Sequence, residues 1–149
     1  MINKKPYLRK ANKDDVEILF EWVNDKKTRE NAFNTHVITY EEHCEWFKRM
    51  IEDPKQVQYI MMVGEKPVGQ VRITIENQEA DIDYSISSSE RGRGYGKEII
   101  ALIKEKVQED CPTVKKLIGR VKPYNIASYC CFTGNEFEEV FKQLEFVIN

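Results

Sequence analysis

The chain is 149 residues long, with 41% hydrophobic residues and a formal net charge of -2. A single domain of this size buries roughly two thirds of the surface of its unfolded chain, so a second domain is not expected. The slightly acidic balance argues against nucleic acid and anionic membranes as partners. Apolar runs such as 59–63 and 99–103 are too short to span a bilayer, and residues 1–6 contain no apolar signal core. These features predict a cytoplasmic protein.

The cysteines form no metal-binding or disulfide pattern. Cys44 and Cys111 are isolated and Cys130 and Cys131 are adjacent, so no Cys-x-x-Cys pair is present. Zinc sites and disulfide frameworks are recognised by such paired spacings. We therefore expect reduced thiols and no metal, with most of these side chains packed as small hydrophobic groups.

The N-terminal half of the chain predicts one strand and two helices. Residues 7–10 form the strand, and Asn12 is a good N-cap for an apolar-periodic helix that ends near Asn24. The polar stretch that follows, 26–38, is predicted to be irregular. Thr39 and Glu42 then form a capping box that begins a second helix, which ends before Pro54.

The C-terminal half predicts a β-meander followed by alternating helices and strands. Gly64 and Pro67 lie in a turn at hairpin spacing, and Pro112 follows the end of a long helix. The strand after that helix is expected to pair in parallel with the strand before it. The predicted strands here are 57–63, 68–75, 79–86, 117–121, 137–141 and 143–148, and the predicted helices are 95–110 and 125–135.

The most informative segment is 91–97, which joins the strand 79–86 to the helix that begins at Tyr95. Its three glycines lack a Cβ, so several backbone N–H groups can approach one anion at the positive end of the helix dipole. A structural turn with solvated arginines is the alternative. A dinucleotide-binding loop would follow the first strand, and a P-loop would end in Gly-Lys-Ser/Thr, so neither fits. The segment predicts a pyrophosphate cradle that binds chiefly through main chain.

Arg91, Gly94 and Gly96 satisfy the pattern Gln/Arg-x-x-Gly-x-Gly/Ala, and Asn125 and Ser128 match a looser element downstream. The chain thereby resembles the GNAT superfamily of acetyl-CoA-dependent N-acetyltransferases, in element order as well as in these motifs. The resemblance implies an α/β (α+β) fold with a mixed, mostly antiparallel sheet of about seven strands, a splayed central parallel pair, and four helices. It also implies acetyl-CoA as the cofactor.

In the GNAT fold the splayed strand pair leaves a cleft for the pantetheine arm of coenzyme A. Backbone groups in the strand before the glycine-rich loop would bind the amides of this arm as an added strand does, although core packing alone is the alternative for Ile86. Asn125 could contact the cofactor, cap its helix, or do both. The cofactor-binding residues that the resemblance implies are Tyr84, Ile86, Arg91, Gly92, Arg93, Gly94, Tyr95, Gly96, Lys97, Asn125, Ser128 and Phe132.

Acetyl transfer to an amine requires a group that receives a proton from the ammonium, whose ordinary pKa is about 10. Strand alternation places Gln70, Arg72 and Thr74 on one polar face and Asp81 and Asp83 on the next. Either aspartate could relay the proton through water if these faces meet. An ordinary solvated face with cross-strand ion pairs is the alternative.

Many family members place a tyrosine that reprotonates coenzyme A seven residues after the motif asparagine. Phe132 holds that position here, which transfers the proposed acid role to Tyr129, to Tyr124 or to water. The Gly-Phe pair that ends this helix in the family is also altered, to Glu136 and Phe137.

The N-terminal half contains a spaced set of residues: 22–25 (Trp-Val-Asn-Asp), Arg29, Asn31, Phe33, Ile38, 42–43 (Glu-His) and 46–47 (Trp-Phe). In this spacing it resembles the GNAT subgroup of the pseudaminic-acid pathway, which acetylates nucleotide-linked deoxyamino sugars. A UDP-linked amino sugar is therefore the implied acceptor, with aromatic rings for the sugar or uracil and cations for the pyrophosphate. Core packing is the stronger alternative for both tryptophans. His43 is a candidate base or pocket residue, with a satisfied core or surface histidine as the alternative. The implied substrate-binding residues are Trp22, Arg29, Asn31, His43, Trp46 and Arg72.

Other functions are consistent with the same residues. N-acetyltransferases of protein N-termini, polyamines or aminoglycosides have similar N-terminal segments, and an acidic pocket would favour a polyamine. A non-catalytic acyl-CoA-binding module is consistent with Phe132. The final predicted strand, 143–148, could expose an edge at which two copies form a homodimer.

Overall fold

The computed structural model describes residues 4–149, so the first three residues of the N-terminal segment examined for a signal core lie outside the described residues. A five-stranded sheet in the order β1-β2-β3-β4-β5 forms its centre. The strands are β1 (Tyr7–Lys10), β2 (Gln56–Val63), β3 (Lys66–Glu76), β4 (Glu79–Ile86) and β5 (Lys116–Gly119). The helices are α1 (Val16–Val23), α2 (Lys26–Asn31), α3 (Tyr40–Glu52), α4 (Tyr95–Asp110) and α5 (Ile126–Thr133). No helix within residues 4–149 combines the length and apolar character that crossing a bilayer requires.

Caps and turns fix the element ends where the sequence predicts them. The Asn12 side chain accepts from the backbone N–H of Asp14 at 2.9 Å and begins a short 3-10 turn that leads into α1. Thr39 Oγ1 accepts from the backbone N–H of Glu42 at 3.2 Å at the start of α3. Gly64 takes a φ of 63° in the turn between β2 and β3, a conformation that glycine adopts without a steric cost.

Helices cover both faces of the sheet, which gives three layers. One core cluster lies between the sheet and α4, where Val71, Ile73, Ile99 and Ile103 are fully buried. The other cluster lies between the sheet and helices α1 and α3; its buried members are Leu19, Trp22, Phe47, Met50, Ile60 and Met62. Each large apolar side chain buried in this way contributes about 1.5 to 3 kcal/mol.

The parallel pair β4 and β5 separates halfway along β4. Their register runs from Glu79 opposite Lys116 to Ile82 opposite Gly119, where β5 ends. The second half of β4 continues to pair with β3 as far as Ile86. Beyond Ile82, the edge of β4 that faces away from β3 is therefore not paired with β5. This geometry confirms the predicted splay.

Two details of the predicted architecture are wrong. Within residues 4–149 the sheet has five strands instead of about seven, because segments 137–141 and 143–148 form no strand, and the parallel pair consequently lies at one side of the sheet. The same residues form five α-helices instead of four, because α2 forms in the stretch predicted to be irregular. Asp25 caps α2 by accepting from the backbone N–H of Thr28 at 3.1 Å. The cysteines are free, with Cys130 exposed and the other three half-buried.

Candidate active site

The glycine-rich loop forms an open cradle at the N-terminus of α4. Gly92 and Gly94 take φ values of 81° and 82°, and a Cβ added at either would meet no described atom within 4 Å. The first hydrogen bond of α4 runs from the Glu98 N–H to the Gly94 carbonyl, at 3.2 Å. The N–H groups of the preceding residues, 95–97, thus lack intrahelical acceptors, as in the first turn of any helix. Such a cradle fits a diphosphate.

Gly96 has a different role from the other two glycines of the loop. A Cβ at this position would lie 2.9 Å from the Sγ of Cys131, on helix α5. The missing side chain lets α4 and α5 approach each other closely, so this glycine is required by packing as well as by the predicted cradle.

The two arginines of the loop are engaged by carboxylates. Arg91 donates to Asp25 at 2.6 Å and to the hydroxyl of Thr28 at 3.3 Å, and Arg93 lies 3.5 Å from Glu90. Burial opposes ionisation of Asp25, but the hydrogen bonds from Arg91 and Thr28 outweigh it, and the pKa of this carboxyl is lowered. The guanidinium groups thus hold the loop in place, while the backbone faces the open cradle.

Two aromatic rings, those of Tyr84 and Phe132, line the cleft between β4 and β5. A Cβ at Gly119 would lie 2.4 Å from the ring of Phe132, so this ring packs directly against the end of β5. Tyr84 meets Phe132 edge-on, with 5.7 Å between ring centroids, and its hydroxyl donates to Ser128 Oγ at 2.8 Å. Burial raises the pKa of Tyr84, which keeps the phenol neutral. Asn125 caps α5 by accepting from the Ser128 N–H at 3.2 Å.

The two predicted polar strand faces meet on the side of the sheet that α3 covers. Arg72 lies opposite Asp83 in the register, with 3.7 Å between the guanidinium and the carboxylate. The buried amide of Gln70 lies 3.3 Å from Asp83 and 3.2 Å from the Ser85 hydroxyl. Asp83 nevertheless keeps 60% of its side chain exposed, at the point where β4 leaves β5. Asp81 is engaged by Arg120 at 2.7 Å.

Two arginines from different elements converge near Asp83. The Arg72 guanidinium lies 4.9 Å from the ring centroid of Trp46, on α3. Arg29 lies on α2; burial lowers its pKa and the nearby charge of Asp83 partly offsets this effect. The Nε atoms of Arg29 and Arg72 are buried and have no hydrogen-bond partner within residues 4–149. The Nη1 atom of Arg29 donates to the backbone carbonyls of Asn34 and His36, at 3.0 and 3.2 Å, which holds this guanidinium beside α2.

A cavity of about 600 Å³ lies beside α2. Its lining includes Lys26, Arg29, Glu30 and Tyr124, and the Tyr124 hydroxyl donates to the Glu30 carbonyl at 2.8 Å. The cavity therefore extends from α2 to the segment just before α5, and its lining is positive on balance.

Comparison with known families and solved structures shows to which family the chain belongs. Residues 7–138 match the family model described as an acetyltransferase (GNAT) domain. The chain belongs to the GNAT acetyltransferase family. A search of curated proteins finds no match, whereas many solved structures share the GNAT fold.

Three solved structures illustrate this likeness. A domain from Methanocaldococcus jannaschii DSM 2661 superposes with a TM-score of 0.82 at 21% identity, covering 96% of this chain and 94% of the other. Spermidine N-acetyltransferase from Vibrio cholerae, in complex with CoA and spermine, gives 0.82 at 17% identity, covering 97% and 88%. Aminoglycoside acetyltransferase AAC(6')-Ib, in complex with coenzyme A, gives 0.78 at 21% identity, covering 90% and 84%. At these identities the likeness shows the common fold.

Two predicted substrate residues of this GNAT protein lie in its core instead of its cleft. His43 is 2% exposed, packs against Trp46 and Phe47, and has its Nε2 2.8 Å from the Val16 carbonyl. Burial lowers the His43 pKa, which favours the neutral ring. Trp22 is 6% exposed within the cluster under α1 and α3. Their placement follows the apolar helix stripes and agrees with the core-packing alternative for both residues.

Two further predicted residues, Asn31 and Tyr129, lie on the helices α2 and α5. Asn31 is the last residue of α2 and is half-buried. Tyr129, on α5, keeps 44% of its side chain exposed. Sequence reasoning missed Asp25 and Glu90 as partners of the loop arginines. Asp25 could have been found as the N-cap of α2, whereas nothing in the local sequence marks Glu90.

Proposed function

We propose that this GNAT protein transfers an acetyl group from acetyl-CoA directly to the primary amine of a nucleotide-linked deoxyamino sugar. The observation that carries the proposal is the convergence of two cations near Asp83, Arg29 from α2 and Arg72 from β3, with Arg29 also lining the cavity beside α2. Partly desolvated guanidinium groups favour an anion such as a diphosphate, and they disfavour a polyamine.

The cradle and the free half of β4 support acetyl-CoA as the donor. The open left-handed glycines Gly92 and Gly94 leave room for a diphosphate against the first turn of α4. The backbone of β4 beyond Ile82 is not paired with β5 and can receive the pantetheine amides as an added strand. When bound, acetyl-CoA supplies an activated thioester.

We assign to Asp83 the role of receiving the proton that the acceptor's ammonium group loses. Its exposed carboxylate lies at the splay of the two strands and receives the ammonium proton through water. Asp81 is the second candidate, although its carboxylate is engaged by Arg120. Because Phe132 has no ionisable group, the leaving thiolate takes its proton from the exposed hydroxyl of Tyr129 or from water.

The acceptor site combines an aromatic surface with positive charge. Trp46 holds the Arg72 guanidinium over its ring, beside Asp83. Lys26 and Arg29 line the neighbouring cavity and would bind the diphosphate, while Tyr124 offers a ring for the sugar or base. In this arrangement the amine lies near Asp83 and the nucleotide lies toward α2.

The proposal is tested by measuring thiol release from acetyl-CoA with UDP-linked amino sugars, spermidine, aminoglycosides and peptide N-termini. We expect the highest kcat/KM with a UDP-linked amino sugar. Arg29→Gln and Arg72→Gln should each raise the KM for that sugar about tenfold or more, since a lost charged hydrogen bond costs about 1.5 to 3 kcal/mol. The KM for acetyl-CoA should change less than about twofold.

Lys27→Gln is the matched control, because Lys27 is an exposed cation on the same helix. It should leave both KM values near those of the wild type. A preference for spermidine or peptides would overturn the acceptor assignment alone. Cofactor binding without turnover on any amine would overturn the enzymatic role and favour a binding module.

A further inference from the structure

The last segment of the chain, residues 138–149, exposes an unusual amount of apolar surface. We call this segment the C-terminal arm; it contains no helix or strand. Its large apolar side chains are Val140, Phe141, Leu144, Phe146, Val147 and Ile148, with exposures between 72% and 93%. Monomeric proteins rarely expose contiguous apolar surface of this kind, which usually marks a binding surface.

The arm has the side-chain pattern of a β-strand. Leu144, Phe146 and Ile148 alternate with the polar residues Gln143 and Glu145. The Gln143 side chain donates to the Glu145 carboxylate at 2.6 Å, so these two polar side chains lie on the same side of an extended backbone. The arm therefore presents one apolar face and one largely polar face, as a half-buried strand does.

The arm lacks the residues needed to fold into a hairpin of its own. Residues 138–148 contain no glycine, proline, asparagine, aspartate or serine, the residues that form tight turns. A single extended segment of this length spans about 40 Å. The sequence thus favours one continuous strand that is long enough to reach a neighbouring molecule.

The sheet offers an edge that such a strand can join. β5 is the last strand in the sheet order, so its outer edge faces no other strand within residues 4–149. Partly buried apolar side chains near this edge, including Val114, Leu117 and Val121, pack against the core. An unpaired strand edge beside apolar side chains is a template for an added strand.

The charges of the arm and of the edge are complementary. The arm carries Glu138, Glu139 and Glu145 against the one cation Lys142. The β5 region carries Lys115, Lys116, Arg120 and Lys122. Lys116 and Arg120 already contact Glu79 and Asp81. An acidic arm is repelled by anionic lipid and attracted by this basic edge, which favours a protein partner over a membrane.

We propose that the C-terminal arm of one copy adds as a strand to the β5 edge of a second copy, and that the exchange is reciprocal. Every copy carries both the arm and the edge, so the contact closes into a two-fold dimer. The apolar face of the arm is then covered by the neighbouring core. This dimer is independent of the acceptor that the active site takes.

Sedimentation of the full-length chain tests the proposal. We expect a dimer at about 100 µM that dissociates on dilution. The double variant Leu144→Glu, Phe146→Glu should be monomeric and should keep the helical bands of the circular dichroism spectrum, because both side chains are exposed in the single chain. Gln143→Glu, which adds a negative charge to the polar face, is the control and should stay dimeric.

A fluorescent peptide with the sequence of residues 138–149 gives a second readout. It should bind to the monomeric double variant, whose edge is free, and a peptide carrying the same two glutamates should not. A monomeric wild type at about 100 µM, or a double variant that stays dimeric, would overturn the proposal. Binding of the arm peptide to anionic vesicles but not to the protein would also overturn it, in favour of a membrane contact.

Discussion

The guanidinium of Arg91 donates to the carboxylate of Asp25 at 2.6 Å and thereby ties the cofactor loop to the start of α2. The same carboxylate accepts from the backbone N–H of Thr28 at 3.1 Å, so it also caps the helix. Because α2 carries Arg29, this one contact joins the proposed cofactor cradle to the proposed acceptor site. The two halves of the site are thus held as one unit.

Replacing Asp25 with alanine should loosen α2. The substitution removes the helix cap and one partner of Arg91, which together cost roughly 1 to 3 kcal/mol. We expect faster hydrogen exchange of the α2 amides, measured by mass spectrometry, and a higher KM for the acceptor. Lys27→Ala is the control, because Lys27 is an exposed residue on the same helix and does not line the cavity. Unchanged exchange in Asp25→Ala would show that the contact does not order α2.

Gly94→Ala should weaken acetyl-CoA binding about tenfold or more, as measured by calorimetry. The φ of 82° alone costs alanine about 1 kcal/mol, and the added Cβ would occupy the open side of the cradle. Gly64→Ala is the control for strain, because Gly64 has a φ of 63° in a distant hairpin. It should lower stability without changing cofactor affinity. Equal affinities for Gly94→Ala and the wild type would rule out the cradle.

The sequence predicts those parts of the fold that depend on local pattern. The turn residues between two apolar runs give β2 and β3, and alternation gives β4. The side chain of Asn125 caps α5, and Gly92 and Gly94 take left-handed backbone in the glycine-rich loop. These features depend on a few neighbouring residues, which a single sequence displays directly. The parallel pairing of β4 with β5 follows from the long helix between them.

Contacts between distant segments explain what the sequence does not predict. Arg91 and Asp25 are 66 residues apart, so an arginine in a phosphate-binding motif gives no sign of its carboxylate partner. His43 has helix neighbours that fit a pocket or a core equally well, and only the packing of α1 and α3 decides for the core. The last two predicted strands have strand patterning, but in the single chain they pair with no other strand of the described sheet and their apolar side chains stay exposed.

The buried His43 makes stability depend on pH. Burial lowers its pKa below the ordinary value of 6.5. His43 therefore binds a proton more tightly in the unfolded chain than in the folded chain. The contribution of the neutral His43 ring to the free energy of unfolding is complete above pH 6.5 and falls as the pH drops below that value. We expect the Tm of the wild type to fall between about pH 7 and 5, with a smaller slope in His43→Gln.

The second histidine provides the matched control. His36 keeps 57% of its side chain exposed, so His36→Gln should retain the slope of the wild type. Near pH 8, His43→Gln should also keep kcat/KM for the acceptor within about twofold, because its ring lies in the core. A large loss of kcat in a folded His43→Gln protein would restore the base role that the packing excludes.

Glu136→Gly should stabilise the protein by about 0.5 to 1 kcal/mol, because Glu136 occupies the position at which helices commonly end with glycine. Its φ is 70°, its N–H donates to the Thr133 carbonyl, and the next N–H, of Phe137, donates to Phe132 O, each at 3.1 Å. The Phe132 and Phe137 rings pack with centroids 5.0 Å apart, which completes the helix-ending motif. Glutamate in left-handed backbone costs about 1 to 2 kcal/mol. Glycine removes this cost, but its greater freedom in the unfolded chain offsets part of the gain.

Glu136→Ala is the control, because it retains the backbone cost and loses only an exposed side chain. Its midpoint in urea unfolding should lie near that of the wild type. Equal midpoints for the glycine and alanine variants would show that this backbone stores no strain.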